Sequence, residues 1–85
     1  MHIVFHKSFK KEYKKLQTEI QNRFDERLKV FINDSNATIL NIHSLQGKWK
    51  GYKSFNVSGD MRAIYKQDYK VVVFVSIGSH SELYR

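Results

Sequence analysis

Two histidines, an arginine and an aspartate stand beside turn-forming residues in the second half of the chain. His43 opens the run His43–Ser44–Leu45–Gln46–Gly47–Lys48–Trp49–Lys50–Gly51–Tyr52, and His80 lies in Gly78–Ser79–His80–Ser81–Glu82–Leu83–Tyr84. Asp60 and Arg62 fall between them, just after Ser58–Gly59. These residue types suit cleavage of RNA by its own ribose. A general base takes the 2′-hydroxyl proton, the oxygen attacks the adjacent phosphorus, and a general acid protonates the leaving 5′-oxygen. An imidazole, with an unperturbed pKa of about 6.5, fits either role. A guanidinium on the phosphate stabilises the charge that builds in the transition state, and it can do so through two N–H groups at once. Asp60 suits a proton acceptor or a partner that keeps a histidine charged. Tyr84 suits a platform on which an unstacked base rests.

Each of these residues also has a plain structural explanation. The histidines fit loops, Asp60 fits a turn, and Arg62 fits a strand cation that snorkels or pairs with an acid. Tyr84 would equally cover a sheet edge. Trp49 reads as a packing residue that shares its surroundings with Leu45 and Phe55. His2 and His6 read as structural residues near a first strand.

The elements that must position these groups divide the chain into two halves. Phe9, Tyr13, Leu16 and Ile20 recur at helical steps, and Phe24, Leu28 and Phe31 continue the rhythm. Ser8 is the expected N-cap of a first helix, and Thr18 with Gln21 forms the expected capping box of a second, with a break near Gln17–Thr18. Asn33–Asp34–Ser35–Asn36 ends the helical half. Lys7, Lys10, Lys11, Lys14 and Lys15 lie away from the apolar stripe, on a solvated face that also suits phosphates. His2–Ile3–Val4–Phe5 alternates like a short strand. Lys50–Val57, Met61–Gln67 and Lys70–Ile77 follow as strands, joined by turns at Ser58–Gly59–Asp60 and Gln67–Asp68–Tyr69. The expected fold is therefore α+β: two N-terminal helices packed on one face of a small, mainly antiparallel sheet of four to five strands. The opposite face is then open to carry a site.

Composition narrows the chemistry. A chain of 85 residues fits a single domain over 1–85. The absence of cysteine excludes disulfides, thiolate catalysis and cysteine-ligated zinc. Met1–Phe5 is too short for a signal segment, and Val71–Val75, the longest apolar run, is too short for a membrane span. A soluble, cytoplasmic protein is expected, with no membrane partner. Fifteen lysines and arginines against eight acidic residues give a net charge of +7, which favours polyanions through counterion release.

Four pieces in order resemble the YafQ branch of the RelE toxin superfamily. They are His43–x–Leu45–Gln46–Gly47–x–Trp49–Lys50–Gly51–Tyr52, Val57–x–x–Asp60, Ile64–Tyr65–Lys66, and Gly78–Ser79–His80–x–x–Leu83–Tyr84. The resemblance covers the second half of the chain, and the helical first half agrees in layout. It implies a RelE-like fold and a ribosome-dependent mRNA endonuclease held silent by an antitoxin. It also implies that His43, Asp60 and His80 occupy the acid–base positions and that Tyr84 takes the terminal aromatic position. Arg62 resembles the phosphate-binding arginine of the RelE branch, at a slightly longer turn. The chain departs from the pattern at Asn56, where the YafQ branch has a histidine, at Met61 in place of a tryptophan, and at Ser76 in place of an arginine. Ser54 and Asn56 stand where the RelE branch has lysines, and Lys53 is out of phase by one residue, which on a strand means the other face.

The expected function is a toxin endoribonuclease with His43 or Asp60 as base, His80 as acid, Arg62 on the phosphate and Tyr84 on a base. Lys48, Lys50 and Asn56 are the expected further RNA contacts. No metal or cofactor is implied, because the histidines lack an acidic cluster at ligand spacing. The expected partners are a cognate antitoxin in a hetero-oligomer, the ribosome and mRNA. Two other readings fit the fold: a ParE-like inhibitor of DNA gyrase, and a basic RNA-binding module that does not cut.

Overall fold

The computed structural model describes residues 1–84. The chain runs β1 (His2–Phe5), α1 (Lys7–Lys14), α2 (Thr18–Asn33), β2 (His43–Ser44), β3 (Lys53–Ser58), β4 (Met61–Asp68), β5 (Val71–Ser79) and α3 (His80–Leu83). Two 3-10 turns, Thr38–Leu40 and Gly47–Trp49, flank β2. The five strands lie in the order β1-β5-β4-β3-β2. β1 pairs with β5 in parallel, and the other neighbours are antiparallel. The α+β arrangement read from the sequence is the one observed.

The hydrophobic stripe explains why both helices settle on one face. Phe9 of α1 and Phe24 and Phe31 of α2 meet Phe55, Val57, Ala63, Tyr65, Val72 and Phe74 of the sheet in one buried cluster. Phe55 sits opposite Ala63, so alternation sends Ser54, Asn56, Arg62 and Ile64 to the other face. Ile64 and Leu83 are buried outside the main cluster.

Both helix starts differ from the sequence expectation. His6 is the N-cap of α1, and its Nδ1 accepts the Ser8 N–H at 3.1 Å. Ser8 lies inside the first turn, where its hydroxyl donates to the Val75 carbonyl and ties the helix to β5. Gln17, not Thr18, caps α2, and no side-chain bond closes a box there. The Gln21 amide instead reaches back to the Tyr13 carbonyl at 2.8 Å and joins the two helices. The strand expected from Lys50 begins at Lys53, since Gly47–Trp49 turns and Gly51 adopts φ +91.

Burial in this core pushes the Tyr65 phenol up to about 12. An unfolded tyrosine ionises near 10, so the unfolded chain releases this proton first as the pH rises. Stability present below about pH 10 is therefore lost progressively toward pH 12. The raised Tyr13 phenol, desolvated and bonded to Asp25, acts in the same direction. Tyr65→Phe is expected to flatten the alkaline fall in melting temperature between these limits, as read by circular dichroism across the pH series. An unchanged slope would remove Tyr65 as its source.

Candidate active site

The open face of the β3–β4 hairpin supplies the floor. Ser54 is fully buried, sits opposite His43 of β2 on one side and Ile64 of β4 on the other, and is diagonal to Arg62. Arg62 is held in place by neutral groups. Its Nε donates to the Ser54 hydroxyl at 2.9 Å, and its Nη2 donates to the Asn41 carbonyl at 2.6 Å and the Ser54 carbonyl at 3.2 Å. Burial lowers the guanidinium from its ordinary value, while the Tyr84 hydroxyl beside it favours the charge. Among the described residues, no carboxylate bonds to it.

The far wall is the C-terminal turn. Ser79 caps α3 with a complete capping box, its hydroxyl accepting the Glu82 N–H while the Glu82 carboxylate accepts the Ser79 N–H. Four residues apart on this turn, His80 and Tyr84 meet in a tilted contact, with ring centroids 4.7 Å apart and planes at 59°. Two bonds fix the turn against the sheet. The His80 N–H donates to the Asp60 carbonyl at 3.1 Å, and the Trp49 indole N–H donates to the Leu83 carbonyl at 2.9 Å. Trp49 thus tethers the turn and meets Tyr52 edge-on. It does not share the surroundings of Phe55, which lies in the main core.

The result is a cleft of about 380 Å³ lined by His43, Leu45, Ser54, Arg62, His80 and Tyr84. Four of the expected site residues, His43, Arg62, His80 and Tyr84, come together there from β2, β4 and the last turn. Asp60 is exposed in the hairpin turn and touches the site through its backbone carbonyl, and its side chain does not line the cleft. Asn56 closes the same turn, donating its amide to the Gly59 carbonyl at 3.0 Å. Lys48 lies over the Trp49 ring and lines a different groove, between α1 and the C-terminal turn. Lys50 is exposed outside the cleft.

The departures from the family pattern acquire locations. Ser76 donates to the Glu12 carboxylate at 2.9 Å and is absent from the cleft wall. Lys53 borders a depression with Phe31 and Tyr65, on the helix side of the sheet. Ser54 and Asn41 are site residues that spacing did not reveal. For Asn41 one signal existed, since asparagine tolerates the left-handed backbone it adopts at φ +47.

Comparison with known proteins agrees with this fold. A family described as bacterial toxin of type II toxin-antitoxin system, YafQ, matches residues 1–85. The mRNA interferase toxin YafQ of Escherichia coli strain K12 is 43% identical over 42 residues, which are 49% of this chain and 46% of that protein, so the aligned stretch spans about half of the relative's length. The crystal structure of YafQ from E. coli strain BL21(DE3) superposes with a TM-score of 0.83 at 28% identity, covering 98% of this chain and 97% of that one. The crystal structure of the E. coli DinJ-YafQ toxin-antitoxin complex gives a TM-score of 0.80 at 29% identity, covering 98% of this chain and 96% of that one. The YoeB dimer from Staphylococcus aureus, at 20% identity and a TM-score of 0.75 over 94% of this chain and 97% of that one, shares the fold. The chain belongs to the YafQ family of bacterial toxins of type II toxin–antitoxin systems.

Proposed function

We propose that this chain is an endoribonuclease toxin that cuts mRNA on the ribosome and is neutralised by a cognate antitoxin in a hetero-oligomer. The observation that carries the reading is Arg62, a half-buried guanidinium in a cleft that His43 and His80 also line, with only neutral groups among its described partners. A half-buried cation whose described partners are neutral gains from an anion that enters, and a phosphodiester is the anion that two imidazoles can process.

His43 takes the proton from the ribose 2′-hydroxyl. The 2′-oxygen bonds to phosphorus, Arg62 stabilises the charge on the non-bridging oxygens, and the bond from phosphorus to the 5′-oxygen breaks. His80 in its protonated form gives its proton to that oxygen, leaving a 2′,3′-cyclic phosphate and a 5′-hydroxyl. Both proton transfers are assigned to imidazoles, so the scheme needs no metal. Tyr84 stacks a base and meets Arg62 through its hydroxyl. Asp60 holds His80 through its backbone carbonyl, which favours His43 over Asp60 as the base. Lys48, Lys50 and the five lysines of the first helical turns act at longer range on ribosomal RNA, through the net charge of +7. The DinJ-YafQ structure supports an antitoxin as the partner, and the YafQ of E. coli K12, named as an mRNA interferase, supports mRNA as the substrate.

The test adds purified protein to a cell-free translation reaction and maps mRNA ends. Cleavage is expected only with translating ribosomes, and Arg62→Ala is expected to lower it at least tenfold, about 1.4 kcal/mol of barrier. Intact mRNA with blocked supercoiling by gyrase would overturn the reading in favour of a ParE-like activity. Intact mRNA with co-sedimentation on ribosomes would overturn it in favour of a binder that does not cut.

A further inference from the structure

We propose that Ser54 and Asn41 are positioning residues that hold one edge of the Arg62 guanidinium so that its remaining amine faces the substrate phosphate. The proposal rests on the nuclease reading above and deepens it. A guanidinium carries five N–H donors in a rigid plane. Among the described residues, the Ser54 hydroxyl, the Ser54 carbonyl and the Asn41 carbonyl take three of them, and the Tyr84 hydroxyl also bonds the guanidinium. The first three bonds engage the Nε–Nη2 edge and so fix the position and the plane of the fork, and the Nη1 edge is the one that Ser54 and Asn41 do not engage. Arg62 and Tyr84 both line the cleft.

The two residues achieve this by different means. Ser54 lies on β3 with no exposure, and a buried hydroxyl on a strand is costly unless it is bonded. The Arg62 Nε–H supplies that bond. A neutral acceptor also leaves the positive charge uncancelled, where a carboxylate at the same place would occupy it. Asn41 follows the 3-10 turn Thr38–Leu40 in the left-handed region, and this backbone turn directs its carbonyl to Arg62. Positive φ is strained for most residues and mild for asparagine or glycine. Here the main chain is the functional group, so Asn41→Gly keeps it and Asn41→Val, a β-branched residue, opposes the conformation.

Single-turnover cleavage measured at increasing ribosome concentration tests the assignment. Ser54→Ala and Asn41→Val are each expected to slow the maximal rate about tenfold while leaving the half-saturating ribosome concentration unchanged, and Asn41→Gly is expected to remain near wild type. In an Arg62→Ala background, Ser54→Ala is expected to cause no further loss, because its effect passes through the guanidinium. A further tenfold loss in that background, or a wild-type rate for Ser54→Ala alone, would overturn the proposal. Nitrogen-15 NMR of the Arg62 Nε–H gives a second readout that needs no activity. Slow solvent exchange is expected in the wild type and fast exchange in Ser54→Ala, and fast exchange already in the wild type would overturn the cradle even if the variant failed to fold. A wild type that cuts no mRNA but shows the slow Nε–H would remove the nuclease reading and leave the anchoring of Arg62 intact.

Discussion

His80→Ala is expected to slow cleavage by roughly 10²–10⁴, the usual range for loss of a positioned general acid. The size follows from what the substitution leaves untouched. His80 is exposed, and its backbone N–H keeps its bond to the Asp60 carbonyl whatever the side chain. The Ser79–Glu82 capping box and the Trp49 tether do not involve the imidazole. What disappears is the tilted ring contact with Tyr84, at a centroid distance of 4.7 Å, and the proposed proton donor. The melting temperature is therefore expected to move little, while the single-turnover rate falls and loses its alkaline limb when plotted against pH, since that limb reports the protonated acid. Arg62→Ala should keep the shape of the pH profile while lowering its height. Wild-type cleavage by a well-folded His80→Ala would take the acid role from this residue.

The large features of this fold were legible because they are periodic. Phe9, Phe24 and Phe31 repeat at helical spacing and are among the most buried side chains, and Gly59 and Tyr69, both at positive φ, mark the two hairpin turns. The groups that meet at the site were legible as types, since a histidine or an arginine beside a turn announces chemistry wherever the strands carry it. Their partners were less so. The oxygens that hold Arg62 include the backbone carbonyls of Ser54 and Asn41, and any residue type can supply a carbonyl. Asp60 shows the same limit: its carboxyl group drew attention, and its carbonyl is what reaches His80. Local capping rules favoured Ser8 over His6, yet Ser8 spends its hydroxyl on Val75, 67 residues away. The place of Ser76 depends on the register shift that leaves Val75 unpaired between the Ile64–Ser76 and Tyr65–Phe74 pairs, an irregularity of two strands together. Trp49 was legible as a packing residue and misassigned to the wrong layer, because the 3-10 turn at Gly47–Trp49 swings it toward the C-terminal turn.

Phe74→Ala is expected to be the most damaging single substitution to stability, at about 3–5 kcal/mol. Phe74 has no exposed surface and lies at the centre of the aromatic core. Its ring centroid is 5.4–6.2 Å from those of Phe5, Phe9, Phe24, Phe31, Phe55 and Tyr65, so it joins β1, both long helices and the three central strands. Removing the ring loses its transfer free energy and leaves a cavity that rigid aromatic neighbours cannot collapse to fill. In a domain of this size, each kcal/mol corresponds to about 4–8 °C of melting temperature, so a fall of at least roughly 12 °C is expected by circular dichroism. Tyr69→Ala, at a turn position 85% exposed, is the control and should shift the melt by no more than about 0.5 kcal/mol. The consequence reaches the cleft, because β5 carries Phe74 on its core face and delivers His80 directly after its last residue. Loss of activity in Phe74→Ala should therefore follow the unfolded fraction as temperature rises, whereas His80→Ala should be inactive at every temperature at which it is folded. A Phe74→Ala melt within a few degrees of wild type would mean that the neighbouring rings repack, and that β5 is held by its strand pairing more than by its core.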